Sequence, residues 1–183
     1  FDLDAFFVSV ECLLDPTLKG IPLAVGGQSD RSVIAACSYE ARKYGVHSAM
    51  PVRNAVKLCP HLKIVSGTRG AYSHYSRLVT EMIANAAPVF EKASIDEFYI
   101  DLSGMDRYFK PLEWTLALRE KIIKETSLPI SFGMGSNKMI AKIATDAAKP
   151  NGFLFIEPGK ETEFLDPMKV GKIPGVGDQT ERD

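Results

Sequence analysis

Polar and apolar positions alternate where the chain begins. Phe1, Asp2, Leu3 and Asp4 keep a period of two, as the end of a strand does, and residues 5–14 then run without a turn residue, which predicts a helix. Pro16, Gly20 and Pro22 interrupt the pattern. Apolar runs at 23–25 and 33–37 predict strands. Residues 39–44 predict a short helix stopped by Gly45, which is free to take the left-handed cap conformation. Pro51 opens a further helix through residue 58. A strand is expected at 62–65, followed by a long helix over 69–87 whose core face carries Tyr72, Tyr75, Val79, Met82 and Ala86 at spacings of three and four.

Beyond Pro88, two strand-like segments at 89–94 and 98–102 are pinched around Ile95, Asp96 and Glu97, the pattern of a hairpin. Leu112, Leu116 and Ile123 mark a helix, 129–134 a strand, and 137–148 a second helix with Ser136 as its N-cap. With residues 6–67 set aside, the order is strand, helix, strand, strand, helix, strand, which is the split βαβ, ferredoxin-like arrangement of an α+β fold. The excised segment reads as a small α/β insertion between the first strand and the first helix. In that topology the first strand lies beside the hairpin in the middle of the sheet.

Composition adds exclusions. With 45% apolar and 25% charged residues, 14 Gly and 11 Pro, the chain is neither disordered, collagen-like nor a disulfide scaffold. No apolar run approaches the roughly 20 residues of a membrane span, and no basic-then-apolar leader opens the chain, so a soluble protein with no membrane partner is expected. Cys12, Cys37 and Cys59 are odd in number and far from zinc spacing, which predicts reduced thiols and a cytoplasmic setting. A net charge of -1 argues against a general nucleic-acid binder, yet residues 28–67 carry six Lys/Arg against two Asp/Glu, and 131–150 carry three against one. The chain opens without Met and stops at Arg182 and Asp183 just after a fresh turn motif, as a fragment would.

The expected topology brings Asp2 and the pair Asp96, Glu97 to one sheet edge. A lone acidic residue at a strand end is usually just solvated, but Ala93, Ile95 and Phe98 make this pair interrupt an apolar segment. Three carboxylates in a small volume repel unless cations sit between them, and hard oxygen donors favour magnesium. Two such ions about 3.5 to 4 Å apart serve phosphoryl or nucleotidyl transfer. Asp4 shares a strand face with Asp2, and helix capping explains it equally well, so it stays unassigned. Tyr39 and Arg42, three apart on a short helix, offer a phenol and a guanidinium fork to a triphosphate. Lys149 precedes a turn of Pro150, Asn151 and Gly152 that would hold its backbone still. Gly133, Met134 and Gly135 before a helix are a weak phosphate signal or simply a tight turn.

Four blocks, taken in order, carry a resemblance: Phe1 to Phe7; Ser38, Tyr39, Glu40, Ala41, Arg42, Lys43, Tyr44, Gly45 and Val46; Ser94 to Asp101; and Asn137, Lys138 through Ala148 to Gly152. In these the chain resembles the Y-family DNA polymerases of the DNA polymerase IV, DinB-like branch. The resemblance implies a palm of residues 1–5 and 68–157, fingers of 6–67, and in 158–183 a linker and the start of a helix-hairpin-helix thumb. It implies two magnesium ions held by Asp2, Asp96, Glu97 and the Leu3 carbonyl. Tyr39, Arg42 and Lys149 would hold the triphosphate of an incoming dNTP, and Phe7 would exclude a 2′-hydroxyl, with Phe6 beside it in the substrate-binding stretch. Ser32 and Val33 would roof the nascent base pair. Primer-template DNA is the implied partner, and a sliding clamp would be met through a C-terminal region that this chain lacks. One departure is Ala36, where the family usually has Thr, so one hydroxyl contact to phosphate is expected to be missing. The implied activity is translesion DNA synthesis. A nucleotidyl cyclase-like palm and a catalytically dead DNA-binding scaffold are the rival readings.

Overall fold

In the computed structural model, which describes residues 1–27 and 29–182, the opening alternation becomes a two-residue strand β1 (Asp2–Leu3) leading into helix α1 (Phe6–Leu14). Ala5 makes the turn between them in the left-handed region, at φ 42° and ψ 48°. The chain forms two compact units, one of residues 5–79 and 126–128, the other of residues 1–4, 80–125 and 129–183.

The first unit holds α1 and a three-stranded sheet. Strand β2 (Leu23–Gly26) lies in its centre, antiparallel to β3 (Ile34–Cys37) and parallel to β4 (Lys63–Val65). Because β2 is covered on both faces, it reads as a continuous apolar run, with Leu23, Ala24 and Val25 all buried. One face packs against Ile34, Val46, Val52, Ala55 and Cys59, where helices α2 (Tyr39–Arg42) and α3 (Val52–Leu58) attach. The other face packs on Val8 and Leu18, with Phe7, Val65 and Tyr72 around them. All three cysteines are free thiols, Cys37 and Cys59 fully buried. Gly45 stops the α2 segment at φ 85°, as its sequence position predicts.

Helix α4 (Ala71–Ala86) begins in this unit and ends in the other. Its buried stripe is Ser76, Val79 and Ile83, with Tyr72, Tyr75 and Met82 partly covered, whereas Ala86 is exposed. The expected face is therefore rotated slightly at its C-terminal end, because Ile83 offers more apolar surface to bury than Ala86 does.

In the second unit, β5 (Val89–Lys92) and β6 (Phe98–Asp101) form an antiparallel hairpin. Helix α5 (Pro111–Thr126) leads to β7 (Ile130–Met134), helix α6 (Lys138–Ala148) and a short strand β8 (Phe153–Phe155) parallel to β7. Strand β1 pairs antiparallel with β7, and an antiparallel bridge from Asp2 to Glu97 sets it beside the hairpin. Hydrogen bonds from the Phe98 amide to the Phe1 carbonyl (2.9 Å) and from the Leu3 amide to the Asp96 carbonyl (3.0 Å) flank that bridge. Helices α7 (Glu161–Leu165) and α8 (Asp178–Arg182) follow. Taken together the fold is mixed α+β. Strand β8 is absent from the periodicity reading because its three residues, Phe153–Phe155, are too few to show a period.

Two details of α6 differ from expectation. Its N-cap is Asn137, whose extended backbone lets the side chain accept the Ile140 amide, whereas Ser136 lies one residue before the cap. Gly133 belongs to β7 itself: a Cβ there would lie 2.3 Å from the Ala141 carbonyl oxygen and 2.4 Å from the Thr145 nitrogen. The glycine lets helix and strand touch backbone to backbone, which accounts for it without phosphate.

Candidate functional site

The end of β1, the turn before β6 and one face of α6 come together in the second unit. Asp2 faces Ser131 of β7 in register and bridges to Glu97 on its other side, which leaves it 4% exposed. A carboxylate so buried requires charged partners. Lys149 Nζ lies 2.6 Å from Asp2 Oδ1 and Lys142 Nζ 3.0 Å from Oδ2. Burial alone pushes the Asp2 carboxyl up, but the hydrogen bonds and charges of Lys149 and Lys142 outweigh it and hold the group below the usual carboxylate range.

Lys142 also donates to Glu97 Oε1 at 2.5 Å and to Asp146 Oδ1 at 3.3 Å. Burial works against its charge, yet Glu97, Asp2 and Asp146 together hold the ammonium above the ordinary lysine range. Asp96 shares the turn, but its carboxylate accepts the Ser94 hydroxyl at 2.7 Å. The same Ser94 oxygen accepts the amides of Asp96 and Glu97, so one serine fixes the shape of the turn. Asp2 and Glu97 are thus brought together by a shared ammonium, and Asp96 stands beside them through its backbone. Among the described residues, no three His, Cys, Asp or Glu side chains are gathered as a metal-ligand group.

The turn that carries Lys149 is tied down twice. Asp4 accepts the Asn151 amide at 2.6 Å and the Ser131 hydroxyl at 2.9 Å, and Arg119 reaches the carbonyls of Ile130 and Asn151 at 2.9 and 2.7 Å. Asp4 therefore braces the turn, and the N-cap position of α1 is Ala5, without a side-chain hydrogen bond. Its burial pushes the Asp4 carboxyl above the ordinary value. A Cβ at Gly152 would lie 2.3 Å from the Ala148 carbonyl oxygen, so the chain leaves α6 closely.

The donor set suits a hard divalent cation. Asp2 in β1 and Asp96 and Glu97 in the turn before β6 are carboxylate oxygen donors, and two ammonium groups already balance the charge of Asp2 and Glu97 where a cation would do so. Asp2, Glu97 and Lys142 border a groove of about 860 Å³ with largely apolar walls, Phe98, Phe132 and Ile156 among them. Low-dielectric surroundings of that kind strengthen each ion pair.

The remaining predicted residues except Leu3 lie in the first unit. Ser38 caps α2: its oxygen accepts the amides of Ala41 and Leu23 and donates to the Ile21 carbonyl, which fixes α2 to the start of β2. That places Tyr39 and Arg42 on one face, with the guanidinium 4.7 Å from the Tyr39 ring centroid. Phe6 is buried at 3% exposure, Phe7 is half-buried, Ser32 is half-buried, and Val33 is exposed. Phe7 stacks on Tyr72, and the Tyr72 hydroxyl donates to buried Glu11. Leu3, in the second unit, is buried and uses its amide on Asp96.

Sequence reasoning missed Lys142, Ser94, Glu11 and Tyr72 as parts of these arrangements. Lys138, Lys142, Asp146 and Lys149 recur at helical spacing, which marks one face of α6, but only a buried carboxylate opposite that face gives it meaning.

Residues 1–146 match the family model described as the impB/mucB/samB family. The chain belongs to the impB/mucB/samB family. That match includes Asp2, Asp96, Glu97 and Lys142 and ends three residues before Lys149. Among similar proteins of known name, DNA polymerase IV of Dehalococcoides mccartyi is 42% identical over 182 residues, covering 98% of this chain and 47% of its own length. DNA polymerase IV 2 of Mesorhizobium japonicum is 44% identical, covering 98% and 42%. The chain thus spans about half the length of the curated relatives it matches. Among solved structures, DinB from Sulfolobus solfataricus superposes with a TM-score of 0.91 at 33% identity, covering 99% of this chain and 54% of that one. An insertion ternary complex of Dbh DNA polymerase superposes with a TM-score of 0.89 at 33% identity, covering 97% and 54%.

Proposed function

We propose that this impB/mucB/samB chain is the catalytic half of a DNA-directed DNA polymerase of translesion type, which transfers a nucleotide from dNTP to a primer 3′-hydroxyl. The observation that carries the reading is buried Asp2 joined to Glu97 by an antiparallel bridge, with two lysine ammonium groups on it. Relatives named DNA polymerase IV and a neighbour crystallised as a polymerase ternary complex support it.

In this reading the β5–β6 hairpin and strands β1 and β7, linked by the Asp2–Glu97 bridge, make with α4 and α5 a ferredoxin-like βαββαβ palm of residues 1–5 and 68–157. Residues 6–67 are the α/β fingers, and 158–183 are a linker and the start of a helix-hairpin-helix thumb near Pro174 and Gly175. Asp2, Asp96, Glu97 and the Leu3 carbonyl would hold two magnesium ions, which when bound activate the attacking oxygen and neutralise the leaving one. Tyr39, Arg42 and Lys149 supply phosphate-binding groups. Phe7, with Phe6 behind it, screens the sugar, and small Ser32 and exposed Val33 leave room over the base pair. Primer-template DNA is the partner, a sliding clamp would bind outside this segment, and the setting is cytoplasmic. No helix among the described residues is long and apolar enough to cross a membrane.

Primer extension by the natural polypeptide that contains this segment, with magnesium and either intact or abasic templates, tests the proposal. Template-directed extension is expected on both. Nucleotide turnover that ignores primer and template would favour a cyclase-like palm instead.

A further inference from the structure

Lys142 spends its ammonium entirely on carboxylates. Its Nζ lies within 3.3 Å of Asp2, Glu97 and Asp146, three acceptors for three donor protons. Asp2 and Glu97 are the groups assigned above to magnesium, whereas Asp146 sits one helical turn beyond Lys142 and is 48% exposed. A divalent ion and an ammonium cannot both occupy the space between Asp2 and Glu97 without strong like-charge repulsion.

We propose that Lys142 is a displaceable internal counter-cation: it holds Asp2 and Glu97 in the absence of metal and moves onto Asp146 alone when metal binds. The inference rests on the metal-site reading of the previous section. It makes Lys142 a positioning residue whose competition lowers metal affinity and stabilises the metal-free chain. By linkage the two effects have one origin. Asp146 then favours metal binding by giving the displaced ammonium a place to go.

Manganese, as a spectroscopic probe for magnesium, is titrated by electron paramagnetic resonance into the 183-residue chain without nucleotide or DNA, and melting is followed in chelator and in saturating metal. Since a hydrogen bond to a charged group must be broken for metal to enter, Lys142→Met should tighten manganese binding by about tenfold. It should also lower the melting temperature in chelator, with saturating metal restoring it. Asp146→Asn should weaken binding, and this loss should shrink when Lys142→Met is also present, which separates the parking role from simple loss of negative charge. Lys138→Met, removing an exposed lysine paired with Glu91 one turn away, is the control and should change affinity by less than about twofold.

Equal affinity in the parent chain and Lys142→Met, or an equal gain in Lys138→Met, would overturn the proposal while leaving the metal site standing. If Lys142→Met fails to fold in chelator, Asp146→Asn decides, and unchanged or tighter binding there refutes it. Absence of manganese binding in every variant, Lys142→Met included, would remove the metal-site reading and the inference together.

Discussion

The Tyr72 hydroxyl donates to Glu11 at 2.5 Å while the Tyr72 ring stacks on Phe7, with centroids 4.4 Å apart and planes 28° apart. A charged hydrogen bond on a buried carboxylate thus fixes the ring against which the proposed sugar-screening residue rests. Phe7 is half-buried, so its ring has a packed side and a free side. Phe7→Ala, in the natural polypeptide that contains this segment, should raise ribonucleotide incorporation relative to deoxynucleotide, because the proposed discrimination is repulsive and its removal helps the excluded substrate most. A residue that only packs would instead cost stability, by up to about 3 kcal/mol, with sugar preference unchanged. Single-nucleotide incorporation with matched ribo- and deoxynucleotides, run beside a melt, separates the two.

The same contact has a stability signature of its own. Glu11 accepts the Thr68 amide and hydroxyl at 2.7 and 2.9 Å as well as Tyr72. Tyr72→Phe removes one of these bonds and should cost about 1.5 to 3 kcal/mol in urea denaturation, and Glu11→Ala should cost more because it strands three donors. Burial, then the Glu11 hydrogen bond and charge, push the Tyr72 phenol above its ordinary value. A raised pKa means the contribution is complete below the ordinary phenol range and is lost only as pH rises through the higher folded value. The gap between parent chain and Tyr72→Phe should accordingly stay level from about pH 6 to about pH 9. A gap that closes within that range would show that the phenol is not the protonated donor.

Asp96→Asn and Glu97→Gln test the proposed chemistry directly. Each removes a negative oxygen from the set proposed to hold magnesium and none from a DNA-binding surface, so extension should fall by about a thousandfold or more with primer-template affinity nearly unchanged. Glu97→Gln also weakens the Lys142 ion pair, so circular dichroism must show the fold retained before its kinetics are read. Extension within a fewfold of the parent in both variants would end the carboxylate assignment.

Much of this arrangement was legible in the sequence because it is local. The hairpin around Asp96 and Glu97 shows as two short apolar strands, α4 as a helical period, α1 as a run without turn residues, and α6 as a segment behind a capping residue. What periodicity could not reveal depends on partners distant along the chain. Lys142 reads as one more solvated charge on α6 until Asp2, 140 residues away, is placed opposite it. Asp4 stays unassigned between a strand-face partner of Asp2 and a helix cap until Asn151 and Ser131 are placed against it. The shift of the α6 cap from Ser136 to Asn137 is a matter of backbone angles, since either side chain has a cap-forming oxygen. Ile83 in place of Ala86 at the end of the α4 stripe reflects the larger apolar surface that isoleucine offers to bury.

Gly133 turns one of these open readings into a measurable difference. Its sequence setting, two glycines around Met134 ahead of a helix, leaves a weak phosphate signal or a tight turn, and the Gly133 amide donates to Thr145 Oγ1 at 2.7 Å while its missing side chain lets β7 lie directly on α6. A Cβ at Gly133 meets backbone atoms of Ala141 and Thr145, which can give way only if the helix moves. At Gly135 the nearest atoms belong to the Ile140 side chain, Cγ2 at 2.5 Å and Cβ at 3.1 Å, and the Ala141 nitrogen lies 3.5 Å away, so an added Cβ presses on a side chain before it meets the helix backbone. Gly133→Ala should therefore destabilise the chain by about 1 to 3 kcal/mol through overpacking, and Gly135→Ala by distinctly less. Because α6 carries Lys142 and Asp146 and leads into Lys149, its displacement should also alter manganese affinity in Gly133→Ala and leave it near normal in Gly135→Ala. Urea denaturation and the metal titration read both effects on the same samples. A Gly133→Ala chain as stable as its parent would mean that strand and helix have room to spare, and the phosphate-loop reading of these glycines would deserve a test with inorganic phosphate.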